Sequence, residues 1–272
     1  MDQTGIKYKA RCAILGAMIG DALGTTTEFS TGTDAREIIK QYSNFDNGLV
    51  GKGPFNVTPG QFTDDTEMSL AIMAVMIKLG KYDQEKVAEA YHQWYKSNPF
   101  DIGTATLAAV RQISATKMIN IGKTKNAYSL SNGFLMRLSG MVALHYGKTS
   151  LELVRSVTQD VELTHGHPDA CGVAIIYAGI LFKAIHGASS DEVYESGKKL
   201  ANLNEYNGIY SPLIASIYSA IESDQNSFSY NGRVCCLNLI DKGYLIYPYP
   251  NYDYKKWICQ LISYIFKNFL FK

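Results

Sequence analysis

Apolar residues recur at helical spacing along nearly all of the 272 residues, and alternating strand patterns are scarce. That pattern makes an all-α fold the economical reading, a single compact multi-helix domain over residues 1–272. The spacing predicts helices over Tyr8–Leu23, Asp65–Leu79, Gln84–Lys96, Thr104–Ala115, Gly133–His145 and Leu151–Glu162. It predicts further helices over Asp169–Ile185, Asp191–Leu203, Leu213–Glu222, Arg233–Leu245 and Tyr254–Phe271. Asn98-Pro99 ends the third helix, and Asp169–Ile185 is apolar enough to be a central buried one. Gly16, Gly20 and Gly24 fall four residues apart on the first helix, which costs helix stability but lets another backbone come close. Thr25–Gly60 is rich in Gly, Thr and Asn and reads as mostly irregular, and long loops in compact domains tend to be functional. The aromatic, proline-broken YLIYPYPNY (Tyr244–Tyr252) reads as a packed loop.

Charge and cysteine usage narrow the partners. A formal net charge of +1 creates no field for nucleic acid or an acidic membrane. With 46% hydrophobic and 19% charged residues, the profile is that of a soluble globular protein. Cys12, Cys171, Cys235, Cys236 and Cys259 are odd in number and form no CxxC, so reduced thiols in a cytoplasmic compartment are expected. The N-terminal MDQTGIKYKA has no signal-peptide core. No uninterrupted apolar run reaches the ~18 residues of a membrane span, so no integral membrane association is expected.

Small and polar residues concentrate at a few junctions between loop and helix. FTDDT (Phe62–Thr66) sets Asp64 and Asp65 side by side before an apolar run. Thr63 or Asp64 as an N-cap, with acids favoured by the helix dipole, explains one carboxylate. The second is disfavoured by its neighbour's like charge. A hard divalent cation removes the conflict, because Mg²⁺ and Mn²⁺ prefer carboxylate and hydroxyl oxygens. Glu28 lies in a Thr-rich turn and reads alone as a solvated carboxylate, and Asp21 reads as a local cap or ion-pair partner. His165 and His167 in THGHPD are spaced like zinc ligands, but no matching Cys or third His cluster accompanies them. A capping Thr164 beside partly buried histidines is the plainer account. SNGFLMR (Ser131–Arg137) is either a simple helix start capped by Ser131 or Asn132, or a turn offering N–H groups and a close-approach glycine to a phosphate.

Taken together and in order, these segments resemble the ADP-ribosylglycohydrolase family over nearly the whole chain. GAMIGDALGTTTEF is similar to the family's Gly-Asp-x-x-Gly stretch with a downstream glutamate. QFTDDTEMSLAI is similar to its Thr-Asp-Asp-Thr metal motif. SNGFLMRLSGM resembles the Gly-Asn-Gly-x-x-Met-Arg segment, with Ser131 in place of the first glycine. LTHGHPDACGVAIIYAGIL resembles the Thr-His-x-x-Pro-x-Ala segment. The resemblance implies an all-helical domain with a dinuclear Mg²⁺ site (Mn²⁺ can substitute). It implies cleavage of the glycosidic bond between ADP-ribose and an acceptor on a protein side chain or a small conjugate. By the same resemblance, Thr63, Asp64 and Asp65 are metal ligands and Glu28 is a mobile carboxylate near the metals. Glu28 and Asp65 are the candidate catalytic carboxylates, Asn132 and Gly133 match the phosphate and ribose segment, and His165 matches the substrate-pocket histidine.

One family element is expected to be missing. The acidic motif of the form Gly-Asp-x-Asp-Thr near the family's C-terminus has no counterpart, since Glu222, Asp224, Asp241 and Asp253 lie in no DxD or DT context. NGRVCCLNLIDKGYLIYPYPNYDYKKWICQLI resembles the helix pair that precedes it, and departure from the family is expected near Ile262. An incomplete dinuclear site and an apolar groove that invites oligomerisation would follow. The competing expectations are an active metal-dependent hydrolase, a catalytically impaired ADP-ribose or nucleotide-binding module, and an all-α scaffold whose motifs are helix caps.

Overall fold

Thr149 opens a helix in the manner its sequence prescribes. Its hydroxyl accepts from the Glu152 N–H at 3.2 Å, and the Glu152 carboxylate accepts from the Thr149 N–H at 2.8 Å, a reciprocal capping box. The computed structural model describes residues 2–30, 34, 37, 38 and 49–202. Over these it is helical, with the elements α1 (Gln3–Gly24), α2 (Asp64–Leu79), α3 (Gln84–Lys96), α4 (Thr104–Val110), α5 (Ala115–Lys123), α6 (Leu138–Leu144), α7 (Ser150–Glu162), α8 (Pro168–Ile185) and α9 (Ser190–Asn202). Short 3-10 turns stand at Thr25–Thr27 and Asn132–Phe134. Among the described residues the β contacts are limited to one isolated antiparallel bridge, Lys52 with Val57. The helices expected from Leu213 onward, the YLIYPYPNY loop, the departure near Ile262 and the groove expected to follow from it lie outside the described residues.

Two compact units divide the described chain. One holds residues 2–14 and 64–202; the other holds 15–30, 34, 37, 38 and 49–63.

In the first unit, α8 is the centre, packed by α7, α9 and α6. Pro168 sits in its first turn, and the His167 ring accepts the Asp169 N–H at 3.1 Å as the cap, not the expected Thr164. Its 18 residues are long and apolar enough to cross a bilayer by composition alone, but 56% of that length is buried among its neighbours. A core helix meets the same hydropathy criterion because it is covered on most sides. Met68, Ile72 and Met76 form an i, i+4, i+8 stripe on α2, and each is buried. Burying each such side chain stabilises the fold by roughly 1.5–3 kcal/mol. α2 packs on α3 and α6, and Ser69 Oγ on α2 accepts the Gly140 N–H of α6 at 3.2 Å.

In the second unit, the Lys52–Val57 turn folds onto the 3-10 turn: Thr26 donates to the Gly51 carbonyl at 3.0 Å. Gly53 has φ +66 and faces the Thr25 carbonyl, so a side chain there meets both a strained backbone and a collision.

Local predictions shifted in four places. α1 begins at Gln3, earlier than Tyr8. The Thr104–Ala115 helix ends at Val110, and a separate α5 follows from Ala115. Gly133–His145 is a 3-10 turn and then a short α6, because the Arg137 side chain folds back to the Gly133 carbonyl. Gly20 faces open space and receives no close neighbour.

Candidate active site

α2 begins with three acids in its first turn, Asp64, Asp65 and Glu67. Asp64 is 7% exposed and Asp65 is half-buried. Glu67 is occupied by the Trp94 indole, whose N–H donates to Oε2 at 2.6 Å. The positive end of the helix dipole favours acids there, and the like charge of a neighbouring carboxylate opposes it. The donor chemistry suits a hard cation. Among the described residues, no group of three or more His, Cys, Asp or Glu side chains forms a full ligand set.

Thr63 belongs to the second unit and is fixed there by Asp21. Its N–H donates to Asp21 Oδ2 at 2.9 Å and its hydroxyl to Oδ1 at 2.8 Å. Asp21 is 5% exposed on the last turn of α1. A two-point hold of this kind sets the threonine rotamer, so Asp21 orients Thr63 where the sequence suggested a local cap or ion pair. Glu28 is half-buried at the end of the 3-10 turn of the same unit, and its N–H donates to the Thr25 carbonyl at 3.3 Å.

The remaining sequence candidates meet in the first unit around a buried ion pair. Arg137 and Asp160 are both fully buried, with Nε to Oδ2 at 2.7 Å. Arg137 also donates to the Asp160 carbonyl at 2.7 Å, the Gly133 carbonyl at 2.7 Å and Thr164 Oγ1 at 3.0 Å. The other Asp160 oxygen accepts from Tyr91 at 2.9 Å and Tyr82 at 3.2 Å. The Tyr91 ring lies under the guanidinium, 5.0 Å from centroid to Cζ. Burial opposes the Arg137 charge, but Asp160 outweighs it and holds the guanidinium pKa above its ordinary value. Burial pushes both tyrosine hydroxyls well up.

His165 joins this pair to the SNG turn. Its Nδ1 meets Thr164 Oγ1 at 2.8 Å, and its Nε2 meets Ser131 Oγ at 2.9 Å. Phe134 packs edge-on to the ring at 5.1 Å. Burial, then the nearby Arg137, lower its pKa to about 3, so the imidazole is neutral. Gly133 sits against Thr106 Oγ1 and the His165 ring, where a Cβ would collide with the threonine. Asn132 Oδ1 is buried without a hydrogen-bond partner, an orphan polar atom that invites a ligand donor. Ser131, Asn132, Gly133 and His165 are thus one local group, as the sequence grouped them by motif.

Arg137, Asp160, Tyr91 and Thr164 were not read as site residues from sequence. A lone arginine inside FLMRLSGMVAL was the available signal, since a cation in an apolar helix needs a buried partner.

A sequence model of the ADP-ribosylglycohydrolase family matches residues 2–241. A provisionally named ADP-ribosyl glycohydrolase of Acanthamoeba polyphaga mimivirus is 46% identical over 241 residues, covering 87% of this chain and 72% of its own length. The ADP-ribosylarginine hydrolase Tri1 of Pseudomonas putida is 32% identical over 193 residues, 68% of this chain. The match spans only 48% of Tri1's length. A solved structure of an ADP-ribosylglycohydrolase-related protein complex shares the fold, with TM-score 0.65 over 96% of this chain and 88% of that one at 20% identity. With the motifs in order, the helical fold and a family match running through the whole described region, the chain belongs to the ADP-ribosylglycohydrolase family, enzymes that hydrolyse glycosidic bonds to ADP-ribose.

Proposed function

We propose that this chain is a Mg²⁺-dependent hydrolase, with Mn²⁺ able to substitute, that releases ADP-ribose from a modified protein side chain or a small ADP-ribose conjugate. The observation that carries the reading is the adjacent pair Asp64 and Asp65 in the first turn of α2, with Asp64 buried. Thr63, Asp64 and Asp65 would hold the cation, which supplies Lewis-acid polarisation of a ribose oxygen when bound. Asp21 sets the Thr63 rotamer for that task. Glu28 and Asp65 are the carboxylates assigned to take a proton from water or pass one to the leaving group. Asn132 and Gly133 take the phosphate and ribose side, and neutral His165 serves as a hydrogen-bonding wall without a charge of its own. The arginine linkage is favoured as substrate because Tri1 is named for it. Free Cys12 and Cys171 accord with the proposed reducing, cytoplasmic setting.

The test is release of ADP-ribose from arginine- and serine-linked mono-ADP-ribosylated peptides, with Mg²⁺, with chelator, and with Asp64→Asn. Release that chelator and the substitution both abolish supports the reading. Release that survives chelator contradicts the metal dependence. A folded chain that binds ADP-ribose without releasing it from any peptide is the binding module instead.

A further inference from the structure

The geometry points to a second ligand site in the first unit, a cavity between the carboxyl end of α2, the end of α6 and the first half of α7 that takes a small phosphomonoester carrying an apolar group. The site stands apart from the proposed hydrolase chemistry. Ile77, on its wall, lies about 18 Å along α2 from Asp65.

The cavity has a volume of about 370 Å³, within the range of small-molecule sites. Lys81, Lys148 and Arg155 line it, and Glu152 is the carboxylate among its lining residues. Three cations against one carboxylate leave a charge of +2 around the opening. The carboxylate is already engaged, since Glu152 Oε2 accepts both the N–H and the hydroxyl of Thr149 at 2.8 Å. Among the described residues, none of the three cations forms an ion pair with a carboxylate. Lys78, not Lys81, stands in the last turn of α2, where a cation answers the helix dipole. Like charges gathered on a concave surface with apolar walls focus their field on an incoming anion. A phosphomonoester, which is a dianion at neutral pH, matches that charge.

One wall is apolar, built from Met76 and Ile77 of α2 and Leu144 of α6. Ile77 is 68% exposed, a large apolar side chain left in water beside the cations. A bare anion would leave that wall wet, whereas an ester with an apolar group covers it and gains its burial. His145 and Ser156 also line the cavity, and both are buried. The Met141 carbonyl can only accept, so His145 Nδ1 carries a proton and donates to it at 2.8 Å. Nε2 faces Ser156 Oγ at 3.1 Å. Burial lowers the His145 pKa, so the ring is uncharged at neutral pH. A dianion among Lys81, Lys148 and Arg155 favours the charged ring, which makes His145 a built-in reporter of occupancy.

The test titrates phenyl phosphate into the full chain, read by calorimetry and by NMR of the His145 ring. Saturable binding is expected, with the His145 pKa rising by roughly half a pH unit or more. The double variant Lys148→Glu/Arg155→Glu changes two exposed side chains, and circular dichroism checks that it folds. It should bind about tenfold more weakly or worse and lose the His145 response. Ile77→Ser should weaken phenyl phosphate and leave inorganic phosphate unchanged. Phenol binding as tightly as phenyl phosphate overturns the anion assignment, and inorganic phosphate binding as tightly overturns the apolar part. No binding, or binding that the double variant keeps or that leaves His145 unmoved, overturns the site itself.

Discussion

The first unit handles buried charge in two opposite ways. Around Arg137 and Asp160, every charged atom meets an opposite charge or a fitted dipole: two tyrosine hydroxyls, two backbone carbonyls and a threonine complete the pair. At the start of α2, two charges of the same sign adjoin, one of them buried. The first arrangement is neutral and self-contained, and its charges are spent on holding α3, α7 and the SNG turn in place. The second sets two acids of one sign side by side at a helix start, a donor set of the kind a hard cation takes. At the surface, the start of α7 closes on itself through the exposed Thr149–Glu152 capping box.

The sharpest way to break this contrast is to remove Arg137. Arg137→Met strands Asp160 in the interior, and a cost of about 3–5 kcal/mol is expected, read from the shift in urea midpoint. A cost under about 1 kcal/mol would mean the pair is not the structural anchor described here. At the α2 start the expectation reverses. Asp64→Asn should lower ADP-ribose release by about a hundredfold or more while changing stability by no more than about 1 kcal/mol, because it relieves like-charge repulsion. A large loss of stability together with activity would make Asp64 a structural residue.

His165 gives the contrast a pH dependence. Its folded-state pKa of about 3 lies below the unfolded value near 6.5. The unfolded chain therefore takes up a proton that the native chain refuses. Its contribution to stability is fully present above about pH 6.5 and is lost as pH falls toward about 3, at about 1.4 kcal/mol per pH unit. By pH 5 the wild type should have lost about 2 kcal/mol more than His165→Asn, measured by urea unfolding at each pH. Parallel curves for the two proteins would show a titrating, solvated histidine. The smallest effect belongs to the self-contained helix start: Thr149→Ala should cost about 1 kcal/mol and leave ADP-ribose release unchanged.

The sequence disclosed what is local and concealed what is long-range. Both ends of α3 were readable because Asp83 caps Lys86 and Pro99 follows the left-handed Asn98. The acid pair was readable because its oddity lies between neighbours. The partners of Asp160 were not, since Arg137, Tyr91 and Tyr82 stand 23, 69 and 78 residues away and no periodicity reports such pairings. Asp21 holding Thr63 across 42 residues escaped for the same reason. The expected Thr104–Ala115 helix ran past the end of α4 at Val110, and α5, from Ala115 to Lys123, was not expected at all. Thr164 looked like a helix cap because it is a threonine before a helix. Its hydroxyl instead serves Arg137 and His165, and His167 takes the cap.

The central proposal, that the adjacent acids at the α2 start hold a cation, is tested most directly by titrating Mn²⁺ into the folded chain and following the free ion by electron paramagnetic resonance. The account predicts uptake by the wild type that Mg²⁺ competes away and that is absent in Asp64→Asn. Equal uptake by both proteins, or none by a wild type that releases ADP-ribose, would contradict it.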